Sequence, residues 1–218
     1  DAQKKLTAIF IRASREIRDS LDASTGPAKQ ALVSAFRAFL DQIAKTTKDT
    51  ATLQWVGQTL VDLAETSMPP GTTKATGQSA ELLKVAVSTF EQVKAGSSDV
   101  PLQVEFQLAT AQRMLGNYGD AVKSYAAILS KKPTMLDAQV DAALAYEQWA
   151  QIVPEKYTVA AFQKALNGAK PDAKGKNLIW GWGKVSLLTN GKPQYLDMFF
   201  NARYHVALCR YRAGKKSN

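Results

Sequence analysis

Two adjacent stretches carry the same pattern of apolar residues and breakers about 34 residues apart, and this repeat constrains the fold more than any other feature. In the first, from about Leu102 to Met135, residues Val104, Leu108, Ala111 and Leu115 follow a three-and-four spacing that predicts one apolar helical face. Gly116 comes after the last periodic residue and suits a left-handed helix end. Asn117 and Tyr118 form the turn, and Ala121, Val122, Tyr125, Ile128 and Leu129 make a second apolar face. Pro133 lacks an N–H and disfavours helix at Lys132, so the second helix stops there. The second stretch begins near Leu136 with Ala142, Ala143 and Tyr146, and after QIVPEKY it continues to Phe162 and Ala165. One such helix pair cannot bury both faces, so the pairs must stack on neighbours.

The intervals among Leu108–Ala109, Gly116, Tyr118, Ala121, Tyr125 and Pro133 resemble the tetratricopeptide repeat (TPR). The resemblance implies an all-α, right-handed superhelix over residues 1–218, with about ten helices in five antiparallel hairpins. The pattern departs from the family at three places. Glu105 and Phe106 stand near the early aromatic, Ile128 stands where a small residue is usual, and QIVPEKY is longer than the usual turn. The resemblance also implies a partner-binding concave face lined by the first helix of each pair. Its candidate residues are Gln103, Phe106, Thr110 and Arg113, then Asp137, Val140, Leu144 and Glu147. Phe106 and Thr110 occupy the places where some TPR domains grip a C-terminal carboxylate with Lys and Asn, so that clamp is not expected.

Outside residues 101–168 the pattern is weaker. Residues 1–100 predict degenerate hairpins. A first helix is expected over 2–22, through Leu6, Ile9, Phe10, Ala13, Ile17 and Leu21, and a second from Pro27 to about Lys45. Residues Thr47–Thr52 cap a third, in which Val56–Gly57 is similar to a TPR large-small pair. Residues 68–79 read as a loop, and a fourth helix is expected from Ser79 to about Ala95, with Ala86 and Phe90 as its family-like positions. Beyond Leu166, NGAKPDAKGK reads as a basic linker. Residues 176–218 read as a basic helical pair, with one helix from Asn177 to about Thr189 and another from Pro193 to about Gly214. Trp180 and Trp182 would stand about 200° apart on the first of these, so one neighbour cannot bury both. Trp182 reads as packing, and Trp180 is the alternative binding hot spot or oligomer anchor.

Charge is unevenly placed. Residues 154–218 hold twelve Lys and Arg against Glu155, Asp172 and Asp197, which accounts for the whole net charge of +9. This suggests an acidic partner at the C-terminal end. Cys209 is the only cysteine and His205 the only histidine, which excludes an intrachain disulfide and a multi-histidine zinc site. Four residues apart, they read as a structural thiol and its neighbour rather than a catalytic pair. Asp137 and Asp141 share a helical face and read as a solvated acidic surface. No Gly-rich phosphate loop precedes a helix, and no cofactor or metal set emerges.

The expected function is therefore a non-catalytic scaffold that seats a protein or peptide partner in a helical-repeat groove. Two alternatives stay open. One is a binder of nucleic acid or another anionic partner through Lys164, Lys170, Lys174, Lys176, Lys184, Arg203, Arg210 and Arg212. The other is an enzyme of unrecognised class. The chain reads as an excised or processed piece of a longer protein, lacks an apolar run long enough to span a bilayer, and leaves cytoplasmic and exported locations both open.

Overall fold

Three-and-four apolar spacing becomes helix through most of the chain. A computed structural model describes residues 9, 12, 13, 15–17, 19–21, 23–171 and 175–215. The expected helix over 2–22 lies partly outside the described residues; those of its positions that are described, from Ile9 to Leu21, are helical. The chain forms two compact units, Asp1–Val100 and Pro101–Asn218.

In the first unit, α1 (Gly26–Thr46), α2 (Thr50–Ser67) and α3 (Gly77–Gly96) pack against one another. Asp49 caps α2: its carboxylate accepts from the Thr52 N–H at 2.8 Å and the Thr52 hydroxyl at 2.6 Å. Helix α3 starts two residues before the expected Ser79, because the Ser79 hydroxyl accepts from the Thr76 N–H at 3.2 Å and closes the first turn. Gly57 lets the Phe90 ring lie directly on α2: a Cβ there would stand 2.5 Å from the ring edge.

The second unit contains α4 (Leu102–Met114), α5 (Tyr118–Lys131), α6 (Leu136–Ala150) and α7 (Glu155–Asn167). Strands β1 (Ala169–Pro171) and β2 (Asn177–Ile179) follow, then α8 (Gly181–Thr189), a 3₁₀ turn (Pro193–Tyr195) and α9 (Leu196–Lys215). Gly116 has φ +85° between α4 and α5, the left-handed conformation that a helix end there requires. Helix α6 is central to the core. Its buried alanines at 138, 142, 143, 145 and 150 let α5, α7 and α8 approach, and Tyr125, Ile128, Phe162 and Trp182 fill the space between.

The stretch after Leu166 corrects the sequence reading. The expected linker and the first turn of the expected Asn177 helix form an antiparallel ladder, with Ala169 opposite Ile179 and Pro171 opposite Asn177. Two glycines at its ends permit this. Gly168 has φ +88° and Gly181 has φ +70°. A Cβ on Gly181 would meet the Gly168 nitrogen at 2.5 Å and the Leu166 carbonyl oxygen at 2.7 Å, so the chain crosses itself where only glycine fits. The outer side of β2 is closed by Gln139, fully buried on α6. Its amide nitrogen donates to the carbonyls of Pro133 and Leu178, each at 2.9 Å, and its oxygen accepts from the Trp180 N–H at 2.8 Å. One side chain thus replaces the missing neighbouring strand.

Candidate functional site

The eight residues expected to line a groove divide into two groups. Gln103 and Asp137 are exposed, and Phe106, Val140 and Leu144 are half-buried, so these five reach the surface of α4 and α6. Thr110, Arg113 and Glu147 are buried, which corrects their place in a groove. Each is held by polar partners in the interior.

Asp141 organises the first buried network. Its Oδ2 accepts from the Thr110 hydroxyl and the Tyr125 hydroxyl, each at 2.9 Å, with the Arg113 guanidinium 3.6 Å away. This corrects the reading of Asp137 and Asp141 as one solvated acidic face: Asp137 is exposed, while Asp141 joins α4, α5 and α6. Burial and the adjacent Asp141 charge push the Tyr125 phenol well above its ordinary range, so it remains a donor. Phe106 packs against this tyrosine with ring centroids 6.1 Å apart.

Glu147 organises the second network on another side of α6. Its Oε2 accepts from the Trp182 indole N–H at 3.0 Å and from His205 Nδ1 at 2.7 Å, and its Oε1 from Arg212 at 3.3 Å. A carboxylate only accepts, so the proton between it and the imidazole sits on Nδ1. Six residues separate Asp141 from Glu147, which turns them about 120° apart on a helix. One therefore faces α4 and α5, the other α8 and α9. Cys209 is fully buried beside the second network. Burial, then the Glu147 carboxylate, pushes its thiol far up and keeps it protonated.

The surface of this unit carries three further features. A hollow of about 510 Å³ opens where Val140 of α6 faces Pro193, Tyr195, Leu196 and Met198. A cleft of about 250 Å³ runs between α8 and α9, lined by Gly183, Ser186, Arg203 and Arg210. The outer face of α9 exposes Phe200, Tyr204 and Tyr211. Trp180, the alternative hot spot, is half-buried; the Lys184 ammonium stands 4.8 Å from its ring centre and its backbone N–H belongs to Gln139. Of the alternative anion-binding set, Arg212 is turned inward to Glu147, and Lys174 lies outside the described residues. Lys164, Lys176 and Lys184 are exposed on separate elements, as are Arg203 and Arg210 on α9, while Lys170 belongs to β1.

The hollow is not legible in the sequence because its residues share an apolar pattern with core positions. Periodicity alone does not say which side of a last helix has a neighbour. Among the described residues no cluster of three or more His, Cys, Asp and Glu is placed to hold a metal, and no described helix is long and apolar enough to cross a membrane. Comparison with protein-family models, curated proteins and solved structures returned no match.

Proposed function

We propose that residues 101–218 act as a TPR-like interaction scaffold that seats a peptide or protein segment and catalyses no reaction. The observation that carries this reading is the hollow at Val140, where an expected groove residue faces Tyr195, Leu196 and Met198 in a volume of about 510 Å³. Such a concave, largely apolar site with polar groups at its rim fits side chains of an extended or helical segment. Asp197 and Asn201 supply the polar rim. Phe106, Leu144 and the exposed Gln103 and Asp137 continue partly accessible surface along α4 and α6. The absence of catalysis is supported by the fate of the sole histidine and cysteine. His205 is committed to Glu147 and stacked on Trp182, and the Cys209 thiol is buried and protonated.

The test is selection of peptides from a random displayed library against the full chain, followed by Val140→Asp. Peptides whose binding is lost in V140D, with the helical circular dichroism signal unchanged, are the expected result. Selected peptides that bind V140D as well as the parent chain would overturn the reading, as would recovery of nucleic acid alone, released at high salt.

A further inference from the structure

The outer face of α9 is a second surface, whose exposed Phe200, Tyr204 and Tyr211 are not among the residues that line the hollow at Val140. Leu187 on α8 and Phe200, Tyr204 and Tyr211 on α9 are between 59% and 72% exposed, more than large apolar groups usually are on a finished surface. The α9 residues follow the spacing of one helical stripe, with exposed Ala207 between them. A stripe of this kind is the side that a neighbouring helix covers.

The charge on this face decides what covers it. The cleft beside the stripe is lined by Arg203 and Arg210, two helical turns apart and so about 10 Å from each other along α9. Both are exposed, and neither guanidinium has a carboxylate within ion-pair range among the described residues. Gly183, Ser186, Val206 and Ala207 line the cleft between them. Asp197 is the only acid on α9, against Arg203, Arg210, Arg212 and Lys215. A second copy of the chain would bring cation against cation along the stripe. Single-stranded nucleic acid can stack bases on the aromatic groups, but Leu187 and Ala207 offer no stacking face, and the remaining lysines lie on other elements rather than tracking a phosphate backbone beside the stripe. We infer that this face docks an acidic amphipathic helix of a partner protein. The partner's apolar side lies along Phe200, Tyr204 and Tyr211, and carboxylates two turns apart meet Arg203 and Arg210.

The experiment is a displayed library of amphipathic helices of about 18 residues, five turns, with acidic, neutral or basic polar faces, selected against the full chain. Helices with acidic residues two turns apart are expected to be enriched, and their affinity to fall roughly tenfold or more in Arg203→Glu/Arg210→Glu and in Phe200→Asp. Binding by these helices should be unchanged in V140D, which separates this surface from the hollow. The substituted positions are exposed, and an unchanged helical circular dichroism signal shows that each variant folds. Enrichment of neutral or basic helices, no enrichment at all, equal binding to the R203E/R210E variant, preference for a single-stranded oligonucleotide, or a dimer in sedimentation that Phe200→Asp dissolves would each overturn the inference.

Discussion

The His205 imidazole lies flat on the Trp182 indole, with ring centroids 4.3 Å apart and planes 9° from parallel. The stack is fixed because both rings donate to the same Glu147 oxygen, and Arg212 holds the other. Three elements are joined at one buried carboxylate: α6 through Glu147, α8 through Trp182, and α9 through His205 and Arg212. Removing the carboxylate leaves a buried indole N–H and an imidazole without their acceptor. Glu147→Ala is therefore expected to lower the stability of residues 101–218 by about 3 kcal/mol, with part of the cation's loss recovered by solvent at half-buried Arg212. Urea unfolding followed by circular dichroism measures it. A loss below about 1 kcal/mol would mean that packing of Trp182 alone holds the three helices together.

Alkaline pH should loosen the same region. Burial pushes the Tyr146 phenol up to about 12, and burial with the Glu147 charge pushes the Cys209 thiol higher than its ordinary range. In the unfolded chain these groups ionise near 10 and about 8.5. Both folded values are raised, so the folded chain keeps protons that the unfolded chain releases. Stability is then intact below about pH 8.5 and falls as pH rises, first from the thiol and above about pH 10 from the buried phenols of Tyr146 and Tyr125. Cys209→Ala should remove the earlier part of the decline and leave the later part. Denaturation midpoints measured from pH 7 to 11 in both chains check this, and identical curves for the two would remove the thiol from the explanation.

The helices up to Asn167 were legible because their apolar faces, Gly116 and Pro133 all state helix or break by local chemistry. The ladder after them was not. Leu178, Ile179 and Trp182 have an apolar density that suits helix or strand, and what decides between them is Gln139, some 39 residues earlier on α6 and bonded to Leu178. No local pattern reveals that partner. Three of the eight groove residues were misplaced for a related reason. Thr110, Arg113 and Glu147 look like surface side chains by type, and only the tertiary position of Asp141, Trp182 and His205 makes them interior. The single signal available was Asp141 and Glu147 themselves: two of the three acids on an alanine-rich helix, on different faces, each requiring its own partners when taken from solvent.

Gln139 makes its role testable. Gln139→Leu keeps the volume and removes three hydrogen bonds, leaving the Pro133 and Leu178 carbonyls and the Trp180 N–H without these partners where solvent has only partial access. The expected cost is about 3 kcal/mol, on the order of 1 kcal/mol for each unsatisfied backbone group. The local readout is hydrogen exchange: the Trp180 amide, protected in the parent chain by its 2.8 Å bond, should exchange at least about tenfold faster in the variant. Unchanged protection there would show that β1 alone secures β2.

The crossing at Gly168 and Gly181 sets the direction in which α8 leaves β2, and with it the place of Trp182. A side chain at Gly181 meets backbone atoms on α7 and at Gly168, none of which can swing away as a flexible side chain would. Gly175 also has positive φ, at +74°, but a Cβ there meets nothing within 4 Å. The two positions therefore separate conformational strain from collision. Gly175→Ala should cost about 1 kcal/mol from the left-handed backbone alone. Gly181→Ala carries that cost and the clash, and should lose more than about 3 kcal/mol or shift α8 enough to break the Trp182–Glu147 bond. Unfolding free energies of the two variants, with near-ultraviolet circular dichroism as the reporter of buried tryptophan, distinguish the cases. Equal losses at the two sites would mean that the crossing relaxes without cost, and that α8 is positioned by its packing on α7 and α9 rather than by the glycine pair.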